Sequence, residues 1–224
     1  MKTASFVRRE ELVPGIWQAY FRPEKPLSYI AGQYVDVRLA AVLDDPRGPR
    51  RTFTLTSLPN EELISFIYRA DEPMSRYKQE LQALETGAEA QLGEVLGDLV
   101  LPKLSSVPLI FIAGGIGMAS FTALLKQIEQ DKDKRTVHLF YGLRSQYDDG
   151  FKAQIDAFPF ASKQRYIRPQ RLDVNDVAKV ANHDSLIYLS GDQTFVLSLR
   201  DQLRALGFNH SQIVFDYYDG YADL

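Results

Sequence analysis

The first hundred residues alternate short apolar and β-branched runs with polar turn formers. The clearest runs are Tyr34–Leu39, Thr52–Thr56 and Ile64–Tyr68, and the turn formers include the segment Asp44–Pro49. Runs of this length, bounded by Gly, Pro and Asp, predict β-strands. One amphipathic helix is predicted from about Ser75 to Leu84. Regularly spaced strands with little helix indicate a small antiparallel barrel or sandwich.

The pattern changes after Pro102. Residues 109–113 form a continuous apolar run, which is typical of a strand buried on both faces of a parallel sheet. The following helix carries apolar residues on one face, namely Phe121, Leu124, Leu125 and Ile128. Further buried strands are predicted at Val137–Tyr141 and Ser185–Leu189, and the last helix carries Val196, Leu199, Leu203 and Leu206. Strands that alternate with helices indicate βαβ units.

We therefore predict two domains. An antiparallel β-barrel over residues 1–103 precedes a parallel α/β domain of nucleotide-binding type over residues 104–224. The charged segment Asp131–Arg135 is interpreted as a solvated helix end or loop.

The bulk composition is that of an ordinary globular protein. Of the 224 residues, 45% are hydrophobic and 25% are charged, and the formal net charge is −3. This charge argues against binding to nucleic acid or to an anionic membrane, which needs a basic excess. The sequence has no cysteine, which excludes disulfides, thiolate metal sites and cysteine-ligated iron–sulfur clusters within these residues. Its histidines lack the spacing of metal ligands.

Secretion and membrane insertion are both disfavoured. The N-terminal segment lacks the apolar core of a signal peptide, so a cytoplasmic location is expected. Residues 104–125 carry no charge, and ~20 apolar residues can span a bilayer. Pro108 and several glycines interrupt this stretch, however, so that a strand, a tight turn and a helix explain it better.

The clearest local signal is a glycine-rich turn between the apolar run and the first helix of the second half. It contains Gly114, Gly115 and Gly117, followed by Met118. Glycine lets the backbone approach a phosphate closely, and the free N–H groups at a helix start attract anions. A turn of this kind also serves plain packing. The turn lacks the third glycine of a full Rossmann fingerprint, and no acidic residue closes the next strand.

That next strand is followed by Arg144 and Ser145. An arginine and a serine at this position suit contact with a phosphate or an adenosine ribose. The alternative is an ordinary surface turn.

A second signal is the run from Arg51 to Thr56. A period of two places Arg51, Phe53 and Leu55 on one face of a strand and the threonines on the other. Taken alone, this pattern is more typical of a half-exposed strand that carries a terminal arginine.

Several motifs together resemble those of the ferredoxin–NADP reductase family. Arg51-Thr52-Phe53-Thr54 resembles that family's Arg-x-Tyr-Ser/Thr flavin motif, and Gly114–Ser120 resembles its Gly-Gly-x-Gly-x-Thr-Pro turn. Further matches, in the family's order, are residues 31–34 with Pro-Gly-Gln-Tyr/Phe, 93–101 with Gly-Pro-x-Gly-x-Phe, 190–192 with Cys-Gly-Pro, and 216–221 with Glu-x-Phe/Tyr-x-Gly-Tyr. The resemblance covers nearly the whole chain and implies an FAD-binding β-barrel followed by a Rossmann-like NAD(P)-binding domain.

The resemblance implies roles for the flavin motif. Arg51 is expected to pair with a flavin phosphate, a charge-assisted contact suited to a planar guanidinium. Phe53 is expected to lie against the isoalloxazine or ribityl chain, and Thr52 is assigned to the cofactor with it. Thr54 is expected to hydrogen-bond near flavin N5, the atom that takes the hydride.

The resemblance also implies a polar rim where hydride transfer occurs, formed by Thr54, Ser190 and Asp216. Tyr218 is the aromatic candidate for covering the flavin face. Core packing of a last strand is the alternative for this tyrosine-rich tail.

A further phosphate contact in the family comes from a turn that leads into a helix. The corresponding residues here are Tyr68, Arg69, Met74 and Ser75, with Ser75 opening the predicted helix. The family's glycines are absent, and Asp71 and Glu72 add negative charge. The family resemblance implies FAD, and the altered turn leaves FMN as the alternative.

The nicotinamide nucleotide is expected on the second domain. Its predicted contacts are Gly114, Gly115, Gly117, Met118, Arg144, Ser145, Gly191 and Asp192. Ala119, Ser120 and Ser190 replace the family's Thr, Pro and Cys, which predicts weaker positioning of the nucleotide. NADPH and NADH both remain open, because Arg144, Arg168 and Arg171 suit a 2′-phosphate but are equally typical of surface charge.

The predicted function is that of a flavin-dependent oxidoreductase. It would transfer a hydride from NAD(P)H to FAD and then electrons to a separate acceptor, either a protein of ferredoxin or flavodoxin type or a small diffusible molecule. Arg47, Arg50 and Arg51 form a group that would help dock an acidic partner protein. The alternative is a non-catalytic flavin-binding sensor or regulatory module of the same fold.

Overall fold

The first part of the chain forms a six-stranded antiparallel sheet in the computed structural model, which describes residues 1–42, 45 and 47–218. Its strands are β1 (Lys2–Val13), β2 (Ile16–Pro23), β3 (Tyr34–Leu39), β4 (Arg50–Thr54), β5 (Ile64–Arg69) and β6 (Glu89–Leu96). A short 3-10 helix at Ala40–Val42 follows β3, and helix α1 (Arg76–Ala83) lies between β5 and β6.

The strands follow the order β4-β3-β6-β1-β2-β5, and the sheet curls into a half-barrel. Its two edge strands, β4 and β5, approach each other at the isolated bridge between Leu55 and Phe66. Aromatic rings fill the interior, where Phe66 stacks on Phe53 at 4.2 Å and on Phe21 at 5.5 Å between ring centroids. The Arg51-to-Leu55 face of the strand therefore points into this core.

The second part is a five-stranded parallel sheet in the order β11-β10-β7-β8-β9. Its strands are β7 (Leu109–Gly114), β8 (Val137–Leu143), β9 (Ser162–Ile167), β10 (Leu186–Asp192) and β11 (Ile213–Tyr218). The helices are α2 (Ala119–Gln130), α3 (Lys152–Ala157), α4 (Val174–Val180) and α5 (Gln193–Ala205), with 3-10 helices at Gly115–Met118, Gln146–Asp148 and His210–Gln212. Apolar side chains cover both faces of the sheet, as the continuous apolar run at residues 109–113 predicts.

One hydrophobic cluster joins the two sheets. It contains Ile67 and Leu99 from the first part of the chain together with Phe111, Phe121 and Leu124 from the second. Because apolar burial contributes about 25 cal/mol per Å², this shared cluster holds the two sheets against each other. The boundary at residue 103 stays a prediction, and β6 ends at Leu96 while β7 begins at Leu109.

The fold class predicted from the sequence is confirmed, and three local predictions are wrong. The threonine face of the flavin-motif strand is exposed at Thr52 and buried further along, where Thr54 is 5% and Thr56 0% exposed. Arg135 is not solvated, because its guanidinium is buried against Asp133 and donates to the carbonyl of Pro102. Leu206 follows α5 and is exposed. Strand β4 begins at Arg50 and ends at Thr54, because the chain leaves the sheet before the bridge at Leu55.

Strand β9 and helices α3 and α4 had no clear periodic signal and were not predicted. The uncharged stretch at residues 104–125 is divided between a loop, β7, a 3-10 helix and the start of α2. Within the described residues, no helix combines the length and apolar composition needed to cross a bilayer.

Gly117 sets how closely the start of α2 packs on β10. A Cβ atom at this position would lie 2.2 Å from the carbonyl oxygen of Ser190. The neighbouring Gly115 differs, because it adopts a φ of +53° and a Cβ there would meet nothing within 4 Å. The two glycines of one turn are therefore required for different reasons.

We predict that Gly117→Ala lowers the free energy of unfolding by about 3 kcal/mol, since the added methyl group must push two backbones apart. Gly115→Ala is the matched control and should cost about 1 kcal/mol, from left-handed backbone strain alone. Urea unfolding followed by circular dichroism measures both values. Equal losses for the two variants would show that the contact between the turn and β10 is not a tight one.

Candidate active site at the domain interface

Four hydroxyl groups meet where the two sheets face each other. The Tyr218 hydroxyl lies 2.7 Å from Ser120 Oγ and 3.4 Å from Thr54 Oγ1, and Ser120 Oγ lies 3.0 Å from Ser190 Oγ. Thr54, Ser120 and Ser190 are buried. We call this group the hydroxyl cluster, and it joins the flavin-motif strand of the first sheet to the second sheet.

The topology of the second sheet explains why these residues meet. In a parallel sheet the carboxyl ends of neighbouring strands lie at one edge. Ser190 pairs with Asp216, and two residues further on Asp192 pairs with Tyr218, so both strands end at the edge where α2 begins. The close contact of Gly117 with Ser190 then brings Ser120, in the first turn of α2, beside β10.

Burial shapes the charge state of the cluster. It raises the pKa of Tyr218, an effect that hydrogen bonds with Ser120 and Thr54 oppose in part. Tyr218 is therefore a neutral hydroxyl at physiological pH and can both donate and accept a hydrogen bond. Burial likewise raises the pKa of Asp216. Asp216 lines a small cleft of about 170 Å³ between the sheets, together with Tyr34 and Gly97.

The glycine turn contacts the ring of Phe195. A Cβ on Gly114 would lie 3.0 Å from this ring, and one on Gly191 would lie 2.8 Å from it. Gly114 and Gly191 are thus small because Phe195 packs on them, and Gly117 is small because of β10. Of the glycines described at this turn, Gly114, Gly115, Gly117 and Gly191, only Gly115 faces open space, so it is the position at which a ligand can approach the turn. Met118 is fully buried and packs in the core.

Arg51 does not point toward solvent but into a buried ion pair. Its Nη2 atom lies 2.9 Å from Asp45 Oδ1, and the side chains are 15% and 3% exposed, respectively. The second Asp45 oxygen accepts a hydrogen bond of 3.1 Å from the backbone N–H of Tyr77, in the first turn of α1. We call the position held by Arg51 and this N–H group the anion site. Its present occupant is the Asp45 carboxylate.

The charge of Asp45 is stabilised in this position. Burial would raise the pKa of the Asp45 carboxyl, but hydrogen bonds from the Arg47 N–H, the Arg51 guanidinium and the Tyr77 N–H outweigh it and lower the pKa. The Arg51 guanidinium also lies over the Tyr77 ring, 5.0 Å from its centroid, and its Nη1 donates to the carbonyls of Gly48 and Arg50 at 2.7 Å each. Arg51 therefore does not belong to the exposed docking group predicted with Arg50, which is exposed and pairs with Asp36.

The other flavin-motif residues lie in two environments. Phe53 is 8% exposed and has one face covered by Phe66. Thr52 is exposed and donates to Asp36. Tyr68 is buried in the half-barrel, where its hydroxyl makes no hydrogen bond within the described part of the chain, and burial raises its pKa.

The remaining predicted residues are spread around the interface. Ser75 caps α1, since its Oγ accepts from the Lys78 N–H, and Arg69 pairs with Asp71 at 2.7 Å. The Met74 N–H donates to Glu72. Arg144 is exposed, while Ser145 and Asp192 accept hydrogen bonds from the backbone of the helical turns they precede. Of the predicted site residues, the structure brings Thr54, Ser190 and Tyr218 together. The predicted residues Arg69, Met74, Ser75, Arg144, Ser145 and Asp192 are not part of that cluster. Asp219, Gly220 and Tyr221 of the C-terminal motif lie outside the described residues.

Two residues of the site carried no usable sequence signal. Asp45 lies in a polar turn whose composition fits any surface loop, and Phe195 is an ordinary apolar position of α5. No group of three His, Cys, Asp or Glu residues that could hold a metal occurs among the described residues.

The interface fits a flavin and a nicotinamide nucleotide in part. The hydroxyl cluster supplies buried donors and acceptors for a polar ring system, and Gly115 leaves room at the helix start for a phosphate. The anion site does not fit a phosphate in this conformation, because the Asp45 carboxylate fills it.

A half-barrel followed by a parallel nucleotide-binding sheet is the architecture of ferredoxin–NADP reductases. Residues 111–176 match the family model described as an oxidoreductase NAD-binding domain. The chain is 26% identical, over 88% of its length and 60% of the relative's, to the toluate 1,2-dioxygenase electron transfer component of Pseudomonas putida. It spans about three fifths of the length of the curated relatives that it matches over most of its own length.

Two solved structures share the fold over almost the whole chain. The ferredoxin NADP+ reductase of Neisseria gonorrhoeae, solved with bound FAD and NADP, has a TM-score of 0.78 at 15% identity and covers 96% of this chain and 97% of its own. The FAD/NAD-binding domain of nitric oxide dioxygenase from Vibrio cholerae has a TM-score of 0.80 at 18% identity, with coverages of 98% and 99%. The chain therefore shares the fold of ferredoxin–NADP reductase-like proteins and resembles their FAD/NAD-binding reductase domains in sequence.

We predict that the stability of the protein falls at high pH, in part because of Tyr218. The pKa of Tyr218 is raised in the folded state. The stabilisation that this neutral hydroxyl contributes to folding is therefore complete below the unfolded pKa of about 10. It is lost as the pH rises from there through the folded pKa. Tyr218→Phe should remove about 1.4 kcal/mol per pH unit from this dependence, as measured by urea unfolding between pH 8 and about 11. The control is Tyr147→Phe, whose ring is 76% exposed. An unchanged slope in the Tyr218 variant would mean that its hydroxyl is solvated.

Proposed function

We propose that the chain holds FAD at the half-barrel and NAD(P)H on the parallel sheet, and that it catalyses hydride transfer between them. The observation that carries this proposal is the hydroxyl cluster, which places Thr54 of the flavin motif beside Ser120, Ser190 and Tyr218. Bound flavin would supply the redox chemistry, accepting a hydride from the nicotinamide and releasing electrons to a further acceptor.

The role of the protein is then to orient the reactants. Thr54 would donate a hydrogen bond to the flavin edge, and Ser120 and Ser190 would hold the nicotinamide side of the interface. Orientation of two reactants in this way is equivalent to effective molarities of ~10⁵–10⁸ M in good cases. Because Tyr218 already bonds to Thr54 and Ser120, its ring would cover the flavin and withdraw when the nicotinamide arrives.

The electrons would leave for a separate acceptor. The 224 residues contain no cysteine and hence no cysteine-ligated iron–sulfur cluster. A ferredoxin- or flavodoxin-type protein and a small diffusible molecule are the two classes of acceptor. The Pseudomonas putida relative is an electron transfer component of a dioxygenase, which supports the first class.

The second candidate function is a flavin-binding module without turnover. The altered nucleotide turn favours it, since Ala119 and Ser120 replace the Thr and Pro of the resembled motif and would position the nicotinamide nucleotide less well. Stopped-flow mixing of the FAD-loaded protein with NADH and with NADPH distinguishes the two functions. Bleaching of the flavin absorption by either nucleotide supports the reductase and identifies the preferred nucleotide, whereas no bleaching with either supports the module.

We predict that Thr54→Ala slows flavin reduction by about 10-fold or more, because one charge-stabilising hydrogen bond is worth roughly 1–3 kcal/mol. Thr86→Ala is the control, since the Thr86 hydroxyl donates to the carbonyl of Val7, remote from the interface. Rates are measured at saturating nucleotide, so that a change in affinity does not contribute. Equal rates of flavin reduction in the two variants would show that the Thr54 hydroxyl does not contribute to the reaction.

A further inference from the structure

Asp45 makes the contacts that a phosphate would make in the anion site. A flavin phosphate at this place would need the Arg51 guanidinium and the free N–H groups of the first turn of α1. Asp45 Oδ1 takes the first at 2.9 Å, and Asp45 Oδ2 takes the N–H of Tyr77 at 3.1 Å. A carboxylate and a phosphate have the same charge sign and the same hydrogen-bonding needs, so both cannot occupy one site.

The Nη1 atom of Arg51 has partners of its own. Nη1 donates to the carbonyls of Gly48 and Arg50, at 2.7 Å each, and the guanidinium plane rests on the Tyr77 ring. These contacts do not involve the Asp45 carboxylate. The guanidinium would therefore stay in place if the carboxylate left, and the Nη2 donor would become available.

We infer that the Asp45 carboxylate is an internal occupant of the anion site and that a flavin phosphate binds there only by displacing it. This inference rests on the proposed flavin function. A site that is mostly occupied lowers the apparent affinity by the fraction of molecules in which it is free. Asp45 thus sets how much the phosphate contributes to flavin binding.

The inference makes a specific prediction about phosphate, as distinct from flavin in general. Riboflavin has no phosphate and FMN has one, so the ratio of their dissociation constants isolates the anion site. In the wild-type chain the two constants should agree within about threefold, because Asp45 cancels the gain from the phosphate. In Asp45→Asn the carboxylate charge is gone, and FMN should bind about 10-fold or more tightly than in the wild type, while riboflavin should be unchanged.

The experiment is a titration of each ligand with the full apo chain, followed by quenching of flavin fluorescence. Asp36→Asn is the matched control, since Asp36 pairs with Arg50 and Thr52 of the same strand but lies outside the anion site. Circular dichroism checks that each variant folds. If Asp45→Asn does not fold, the ratio in the wild-type chain still decides, because FMN binding that is tighter than riboflavin binding by more than about threefold would overturn the inference.

The outcomes separate this inference from the proposed function. FMN binding that is tighter in Asp45→Asn than in the wild type supports the inference. This includes the case in which the wild type binds no FMN at all. FMN binding that is unchanged or weaker in Asp45→Asn overturns the inference alone, and would make Asp45 a residue that orients Arg51. If neither chain binds FMN, FAD or riboflavin, the proposed function fails and the inference fails with it.

Discussion

The apolar contact between the two sheets is the constraint on which the rest of the site depends. Ile67 and Leu99 of the half-barrel pack in one cluster with Phe111, Phe121 and Leu124 of the parallel sheet. Interiors packed in this way are close to crystal density and resist small shifts. Thr54, Ser120 and Ser190 of the hydroxyl cluster are therefore held in position by contacts that take no part in the chemistry. The proposed hydride transfer would need this arrangement, because FAD and NAD(P)H would meet where the two sheets face each other.

The polar groups of the interface form hydrogen bonds and ion pairs with one another in the absence of a ligand. The Tyr218 hydroxyl lies within hydrogen-bond distance of Thr54 and Ser120, and the Asp45 carboxylate forms an ion pair with Arg51. The Phe195 ring packs on Gly114 and Gly191. A buried ion pair is costly to break by removing one partner, so each ligand must replace an existing contact of similar kind. Binding then becomes an exchange of partners, and the strength of the internal partner sets the affinity.

Local periodicity in the sequence is enough to predict which segments form the antiparallel strands and which form the βαβ units. The fold class follows from that order. The alternation at β3 and the apolar run at β7 are visible in single segments, and the motifs around Arg51 and Gly114 fix which elements carry the site. Contacts between distant segments carry no such signal. The pairing of Asp45 with Arg51 depends on a turn folding back onto α1, and the burial of Arg135 depends on the carbonyl of Pro102. Strand β9, with charged side chains at several positions, lacks a clean period.

The position of a bound flavin is tested most directly by a crystal structure of the flavin-loaded chain. The predicted result is a flavin ring at the junction of Thr54 and Tyr218, with its phosphate on Arg51 and the N–H groups of α1, and the Asp45 carboxylate moved away from both. An intact Asp45–Arg51 pair with the flavin bound elsewhere would contradict the account.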